Sequence, residues 1–360
     1  MHKGLTRVVD STTVAALIRD VGLSAFYELV TERLDEALSA YRPDVFDVRK
    51  RDGFHRFGPR PGLLEWMPAA RLGGTVALKM VGYHPHNPAE HGLPTILSSL
   101  YGFDSDSGRL RIIADGTFAT AVRTGVASMI ASRALADPDS EVLGLVGAGA
   151  QAVTQLHALA RRFPLRRVLV SDPDPAAVAS FAARSRFPAG MIEAVPLAVL
   201  EREANIICTC TSVLPGAGPV ISGAELRHDV HINAVGSDMP GKVELPLALL
   251  RRATVCPDLL AQAMLEGECQ QLAADEVGPS LFDLVQDPAA GAAVRGGPTV
   301  FDSTGLALED LVMVEVLEEL AERHSLGRFL DIEASSGDPR DPYAFLAESD
   351  AAGLFAGITA

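Results

Sequence analysis

The chain has 360 residues, 48% of them apolar and 21% charged, which is long enough for two separate cores and free of any disorder signature. A formal net charge of −15 argues against a nucleic-acid partner, because binding a phosphate backbone requires clustered Lys and Arg. No window approaches the roughly 18 uncharged apolar residues of a membrane span, and the opening MHKGLTRVVDSTTVAALIRD lacks the apolar core of an export signal, so no membrane partner and a cytoplasmic location are expected.

In chain order, residues 1–135 read as an α+β module. A helix pattern runs through LSAFYELVTERLDEALSAY, and the strand candidates GTVALKMVGYHP and GRLRIIADG follow, separated by Gly, Pro and Asn turns. Residues 136–305 alternate differently. EVLGLV, RRVLVSD, GMIEAV, NIICTCT, DVHINAVG and TVFDS are short apolar runs, and QAVTQLHALARRF and DPAAVASFAARSRF lie between the early ones with helical spacing. Apolar strands alternating with helices predict a parallel, doubly wound sheet covered on both faces. In LALEDLVMVEVLEELAERHSL, Leu308, Val312, Val316 and Leu320 share one helix face. Residues 306–360 are expected to complete the first module, the last 35 or so as a tail packing back on it.

The four cysteines, Cys208, Cys210, Cys256 and Cys269, fit neither zinc-ribbon spacing nor a disulfide framework. Cys208 and Cys210 are expected on one face of an apolar run as buried free thiols. His84 and His86, flanked by prolines, suggest a turn more readily than a metal site, and no metal is expected.

The segment EVLGLVGAGAQAVTQLHALA carries Gly147, Gly149 and Ala152 between a predicted strand and a predicted helix, the G-x-G-x-x-A form of a dinucleotide loop. The first glycine permits a tight turn, the second admits a pyrophosphate, and the third small residue lets helix pack on strand. The helix N-terminus offers amide donors to the anion. Asp172 ends the next strand 25 positions after Gly147, where a carboxylate accepts from ribose hydroxyls and repels a 2′-phosphate, so NAD is expected rather than NADP. Asp238 follows another predicted parallel strand, at the sheet end where ligands bind, and is a candidate general acid/base.

Several further motifs occur in one order: GLLEWMP with Glu65, ALKMVGYHPHNP with Lys79, GLPT with Thr95, TAVRTGVAS with Arg123 and Thr124, HINAVGSDMPGK with Asp238 and Lys242, EGECQQL with Glu266 and Glu268, and FDSTG with Ser303. With GAGAQA they make the chain resemble the ornithine cyclodeaminase/mu-crystallin family from about residue 50 to 345, and within it the bacterial lysine cyclodeaminases of natural-product pathways. The resemblance implies a Rossmann-like NAD-binding domain beside a substrate and dimerisation domain, and a homodimer. It implies cyclising deamination of L-lysine to L-pipecolate, with L-ornithine to L-proline second: hydride leaves the α-carbon, the distal amine attacks the imine, ammonia departs, and the hydride returns.

By the same resemblance, Asp238 is the acid/base. Arg56, Lys79 and Arg123 hold the α-carboxylate, with Arg60 an alternative to Arg56, and Glu65 attracts the distal ammonium. Cofactor contacts are implied at Thr95, Arg123, Thr124, Gly147, Ala148, Gly149, Ala150, Gln151, Asp172, Thr211, Val235, Gly236, Ser237, Lys242 and Ser303. An imine or ketimine reductase, an amino acid dehydrogenase, and a non-catalytic crystallin-like NAD binder stay open as alternatives.

Overall fold

A computed structural model describes residues 4–56, 58–333 and 338–343. The first sheet contains β1 (Thr6–Val9), β2 (Phe46–Val48), β3 (Asp52–Arg56), β4 (Gly62–Arg71), β5 (Thr75–Tyr83), β6 (Ile96–Asp104) and β7 (Leu110–Asp115). The second contains β8 (Val142–Val146), β9 (Arg167–Ser171), β10 (Ile192–Ala194), β11 (Ile206–Thr209), β12 (His231–Ala234), β13 (Thr254–Pro257) and β14 (Thr299–Asp302). A final strand, β15 (Arg328–Leu330), returns to the first sheet and pairs antiparallel with β1.

The first sheet runs β15-β1-β7-β6-β5-β4-β2, with β3 on the other end of the β4 edge. Only β1 and β7 pair in parallel. Strict alternation along β4 and β5 aims Leu63, Glu65, Met67 and Ala69, with Ala77, Lys79 and Val81, at one buried face. Three helices, Leu23–Ser39, Thr117–Leu135 and Ala307–Arg323, pack together, the last against β4 and β5. Two charged residues, Glu65 and Lys79, therefore occupy core-facing positions on a covered sheet face, and each needs a partner.

The second sheet is wholly parallel, in the order β10-β9-β8-β11-β12-β14-β13. This is the Rossmann-like sheet expected from the apolar runs, and the chain reverses direction of winding between β8 and β11. Ligands bind such sheets at that switch point. Within this sheet one strand escapes the sequence reading: β13, TVCP, only four residues long.

Between the sheets runs the helix Thr117–Leu135, buried on all sides from Thr124 to Ser132. Its Gly125 passes so close to the helix Ala150–Leu159 that an added Cβ would lie 2.6 Å from the Thr154 carbonyl oxygen. Leu308, Val312, Val316 and Leu320 are all buried as their spacing predicts, but Glu309 and Asp310 beside them are buried too. The C-terminal tail contributes β15 and Glu333, which meets the Leu110 amide; residues 334–337 and 344–360 lie outside the described residues. No helix among the described residues is long and apolar enough to cross a membrane.

Candidate active site

A cleft of about 840 Å³ opens between the two sheets. The first sheet lines it with Glu65, Met67, Lys79, Val81 and Tyr83, the connecting helix with Phe118, Thr120, Arg123 and Thr124, and the parallel sheet with Gly149, Ala150, Gln151, Thr211, Gly236, Asp238, Lys242 and Ser303. Thr95 and Val235 complete the wall. Residues from seven of the sequence motifs thus meet in one space.

At the parallel-sheet end, Gly147 adopts φ +96°, and a Cβ there would lie 2.7 Å from the Cys210 carbonyl oxygen. A Cβ at Gly149 would meet nothing within 4 Å, so the loop presents bare backbone to open space at the start of the helix Ala150–Leu159. Ala148 is buried beneath them; its N–H donates to Asp172 at 2.7 Å and its carbonyl accepts from Arg184 at 2.6 Å. The Ser303 hydroxyl is buried at the cleft wall with no hydrogen-bond partner among the described residues. A bare glycine turn, free helix amides and an orphaned hydroxyl fit a dinucleotide.

The loops around this end are tied down by carboxylates. Glu244 accepts from the Thr209 hydroxyl (2.6 Å), the Thr211 amide and hydroxyl (2.8 and 2.6 Å) and the Gly236 amide (2.8 Å), joining the ends of β11 and β12. Glu268 accepts from the Glu244 amide at 2.7 Å, and Asp302 from the Glu268 and Cys269 amides at 2.9 and 2.8 Å. Burial pushes Asp302 up to about 7 and Glu268 well above the usual carboxylate range. Of these anchors the sequence motifs contain Glu268 and Asp302, the latter in FDSTG at the end of β14. Glu244 looks like an ordinary loop acid until its burial is seen.

At the other end, ionic groups concentrate. Lys79 lies 2.8 and 3.0 Å from the two oxygens of Asp310, and Arg123 lies 2.6 Å from Glu309 and 3.4 Å from Asp310. Burial, with help from Arg123, lowers Lys79 to about 8. Burial raises the Glu65 carboxyl against the pull of Arg51, which is 3.5 Å away; His55 is 3.4 Å from the same group.

Asp238 sits at the junction of the two ends. Its side chain is 21% exposed and accepts at 2.8 Å from the Lys242 ammonium, which is 1% exposed and also donates to the Tyr83 hydroxyl at 3.1 Å. Burial works against the Lys242 charge, but Asp238 and Tyr83 outweigh it and hold its proton above the ordinary lysine range. A carboxylate fixed on one edge and open on the other is equipped to exchange protons with a ligand.

Two expectations need correction. Arg56 is exposed at the end of β3, outside the cleft, and Arg60 is exposed and 3.2 Å from Glu90. Pairing of Asp52 with Trp66 and Arg56 with Gly62 carries Arg56 to the far end of the strand. The arginine that this segment places in the cleft, which Arg123 also lines, is Arg51, just before β3, 2.6 Å from Glu266 and donating at 2.7 Å to the Asp238 carbonyl. Glu65, Glu266 and Asp238 outweigh the cost of its burial and raise its proton affinity further. Secondly, Cys208 is buried as expected but Cys210 lines the cleft.

Among the expected residues, Ser237 and Asp172 do not line the cleft: Ser237 is fully buried and donates to the Lys242 carbonyl at 2.7 Å, and Asp172 lies beyond the lining. Thr124 lines it, but its hydroxyl is turned to the Thr120 carbonyl at 2.9 Å. Among the described residues, no group of three or more His, Cys, Asp or Glu side chains could hold a metal ion, and His84 and His86 are no exception.

The L-lysine cyclodeaminase of Streptomyces rapamycinicus is 43% identical over 340 residues, 94% of this chain and 99% of that protein. A solved lysine cyclodeaminase, studied for recognition of L-lysine, L-ornithine and L-2,4-diaminobutyric acid, matches with TM-score 0.91 and 47% identity over 95% of this chain and 99% of its own. An archaeal alanine dehydrogenase dimer with bound NAD matches with TM-score 0.79 and 28% identity over 91% of this chain and 100% of its own. The model of the ornithine cyclodeaminase/mu-crystallin family spans residues 11–325, and the chain belongs to that family.

Proposed function

We propose that this protein is an NAD-dependent cyclodeaminase that converts L-lysine to L-pipecolate and ammonia, and L-ornithine to L-proline as a second substrate. The observation that carries the reading is the single cleft in which the Asp238 carboxylate stands between the glycine-loop end and the Lys79–Arg123 pair. The near full-length likeness to a lysine cyclodeaminase supports lysine as first substrate.

Lys79 and Arg123 receive the α-carboxylate, Arg through its two-pronged guanidinium and Lys as a point charge. Arg51 stands as a third cation of the same wall, the place the sequence reading gave to Arg56. Glu65 draws the distal ammonium along an apolar wall of Leu63, Met67 and Val81. Asp238 removes the ammonium proton that blocks imine formation and later returns a proton to the departing ammonia, while Lys242 holds it in place. Nicotinamide, when bound, supplies reversible hydride acceptance at the α-carbon. Thr95, Thr211, Gly236 and Ser303 are assigned to its binding, and Gly147, Ala148, Gly149, Ala150 and Gln151 to the pyrophosphate loop. Incubation with NAD and L-lysine should release ammonia and pipecolate in equal amounts without accumulating NADH; NADH rising in step with ammonia would make the protein a dehydrogenase.

Asp172 is assigned to the adenosine ribose. Its two oxygens already accept from the Ala148 and Asp174 amides and keep lone pairs for hydroxyls. Asp172→Ala should weaken NAD binding by roughly ten- to a hundredfold, the value of hydrogen bonds to a charged group. Unchanged affinity in a fluorescence titration would place the ribose elsewhere.

We assign residues 1–135 with 306–360 to one domain and 136–305 to the other, a division that the separation into two sheets supports. The outer face of the first sheet offers the dimer contact: Phe54, Leu64 and Leu97 are 72%, 46% and 39% exposed, beside Trp66 and Met80. A run of apolar side chains on an uncovered sheet face marks an interface. Light scattering should report a dimer, and Leu64→Asp with Leu97→Asp should shift it to monomer; a wild-type monomer at micromolar concentration would contradict the assignment.

A further inference from the structure

Behind the two cations that face the cleft lie two carboxylates that do not line it. Glu309 and Asp310 are adjacent in the first turn of the helix Ala307–Arg323, and both are 1% exposed. Asp310 serves both Lys79 and Arg123. Among the described residues Glu309 pairs with Arg123 alone, through one oxygen at 2.6 Å, and its other oxygen is buried with no hydrogen-bond partner. An ionised carboxylate with one dry, unpaired oxygen is held at a cost that protonation removes.

Lys79 and Arg123 balance Glu309 and Asp310 in charge. Arg51 is already engaged by Glu65 and Glu266, so a ligand carboxylate entering this space makes three anions against Lys79 and Arg123 where little water screens them, and one anion must yield. Glu309 has the fewest partners. The groups that face it are Arg123 from the connecting helix, Asp310 beside it with Lys79 beyond, and Asp258 from the segment after β13. Asp258 is buried, accepting from the Thr304 hydroxyl and the Gly305 amide, so its charge adds to the crowding. Burial, reinforced by Asp258 and Asp310 against the pull of Arg123, pushes Glu309 up to about 7 even before a ligand carboxylate arrives.

We propose that Glu309 is a positioning residue that takes up a proton from solvent when the substrate carboxylate docks on Lys79 and Arg123, freeing the Arg123 guanidinium for the ligand. This rests on the carboxylate-binding role given above to Lys79 and Arg123. The sign follows from linkage. Below about 7 Glu309 already carries its proton and binding needs none; above it the proton must be taken up, so carboxylate affinity falls as pH rises. Loss of the Lys79 proton near pH 8 weakens binding in the same direction, so the variant is needed to separate the two.

The test is calorimetric titration of the NAD-loaded protein with L-pipecolate at pH 8, in phosphate and in Tris. The two buffers differ in ionisation heat, and the difference counts protons taken up. Wild type should take up protons. Glu309→Gln should bind at least as tightly, take up fewer protons and retain only the share due to Lys79. A carboxylic acid C=O band should grow in the wild-type difference infrared spectrum on binding, move in Glu309→Asp and be absent in Glu309→Gln. Equal uptake in wild type and Glu309→Gln, or no acid band in wild type, would overturn the proposal, and the band decides even if the Gln variant does not fold. If L-lysine is turned over normally and these signals are missing, only the role of Glu309 falls; if L-pipecolate does not bind and L-lysine is not turned over, the reading of the site falls with it.

Discussion

Asp238→Asn should lower kcat on L-lysine by roughly a hundredfold to ten-thousandfold, the range for loss of a general acid/base. The amide is nearly isosteric, and its oxygen still accepts from Lys242, which keeps its second contact to Tyr83. What the variant lacks is the ability to hold a proton. NAD affinity should stay within a few-fold of wild type, because the Gly147–Gly149 turn and Asp172 belong to the other end of the cleft. Near-normal turnover would remove Asp238 from the acid/base role, and a parallel collapse of NAD binding would make its role structural.

Arg123→Met should act on both binding and stability. The side chain keeps similar bulk but, among the described residues, leaves Glu309 without its ion-pair partner and Asp310 with Lys79 alone, all of them buried. Breaking a buried pair from one side costs about 3–5 kcal/mol, and a charged hydrogen bond to ligand about 1.5–3 kcal/mol more in binding. The midpoint of thermal unfolding should fall and KM for L-lysine rise by roughly ten- to a hundredfold. Adding Glu309→Gln should recover part of the stability, because the stranded charge is gone, but none of the KM. Arg123→Lys should restore more of the stability than of the KM, since an ammonium lacks the planar fork. An unchanged KM in Arg123→Lys and Arg123→Met alike would show that the carboxylate docks elsewhere.

How much of this was legible in the sequence depended on whether each residue's environment lies nearby in the chain. The runs that form β8, β9 and β11 are mostly apolar because both sheet faces are covered, and that is a local signal, whereas β12 and β14 bury polar residues among the apolar ones. The helix Thr117–Leu135 is buried on nearly every side, so it has no polar stripe to set a helical period, and TAVRTGVAS was read as a motif without its helix.

The site divides the same way. Glu65 and Lys79 are charges at core-facing positions of alternating strands, a mismatch visible in GLLEWMP and ALKMV themselves. Arg51 precedes a short strand, and its partner Glu266 is 215 positions away; counting back from Glu65 along HRFGP reaches Arg56 instead. Glu309 and Asp310 read as ordinary acids near a helix start, and Glu244 as a loop residue. Only the packing of distant elements buries them and gives them their function.

The central claim is that one cleft removes a hydride from the substrate α-carbon and restores it to the same carbon. L-lysine carrying deuterium at the α-carbon, incubated with unlabelled NAD, tests it directly by mass spectrometry of the product. The account predicts L-pipecolate that retains the deuterium, formed in step with ammonia and with no NADH accumulating. Pipecolate without deuterium, or deuterium-labelled NADH building up beside an unsaturated product, would contradict it.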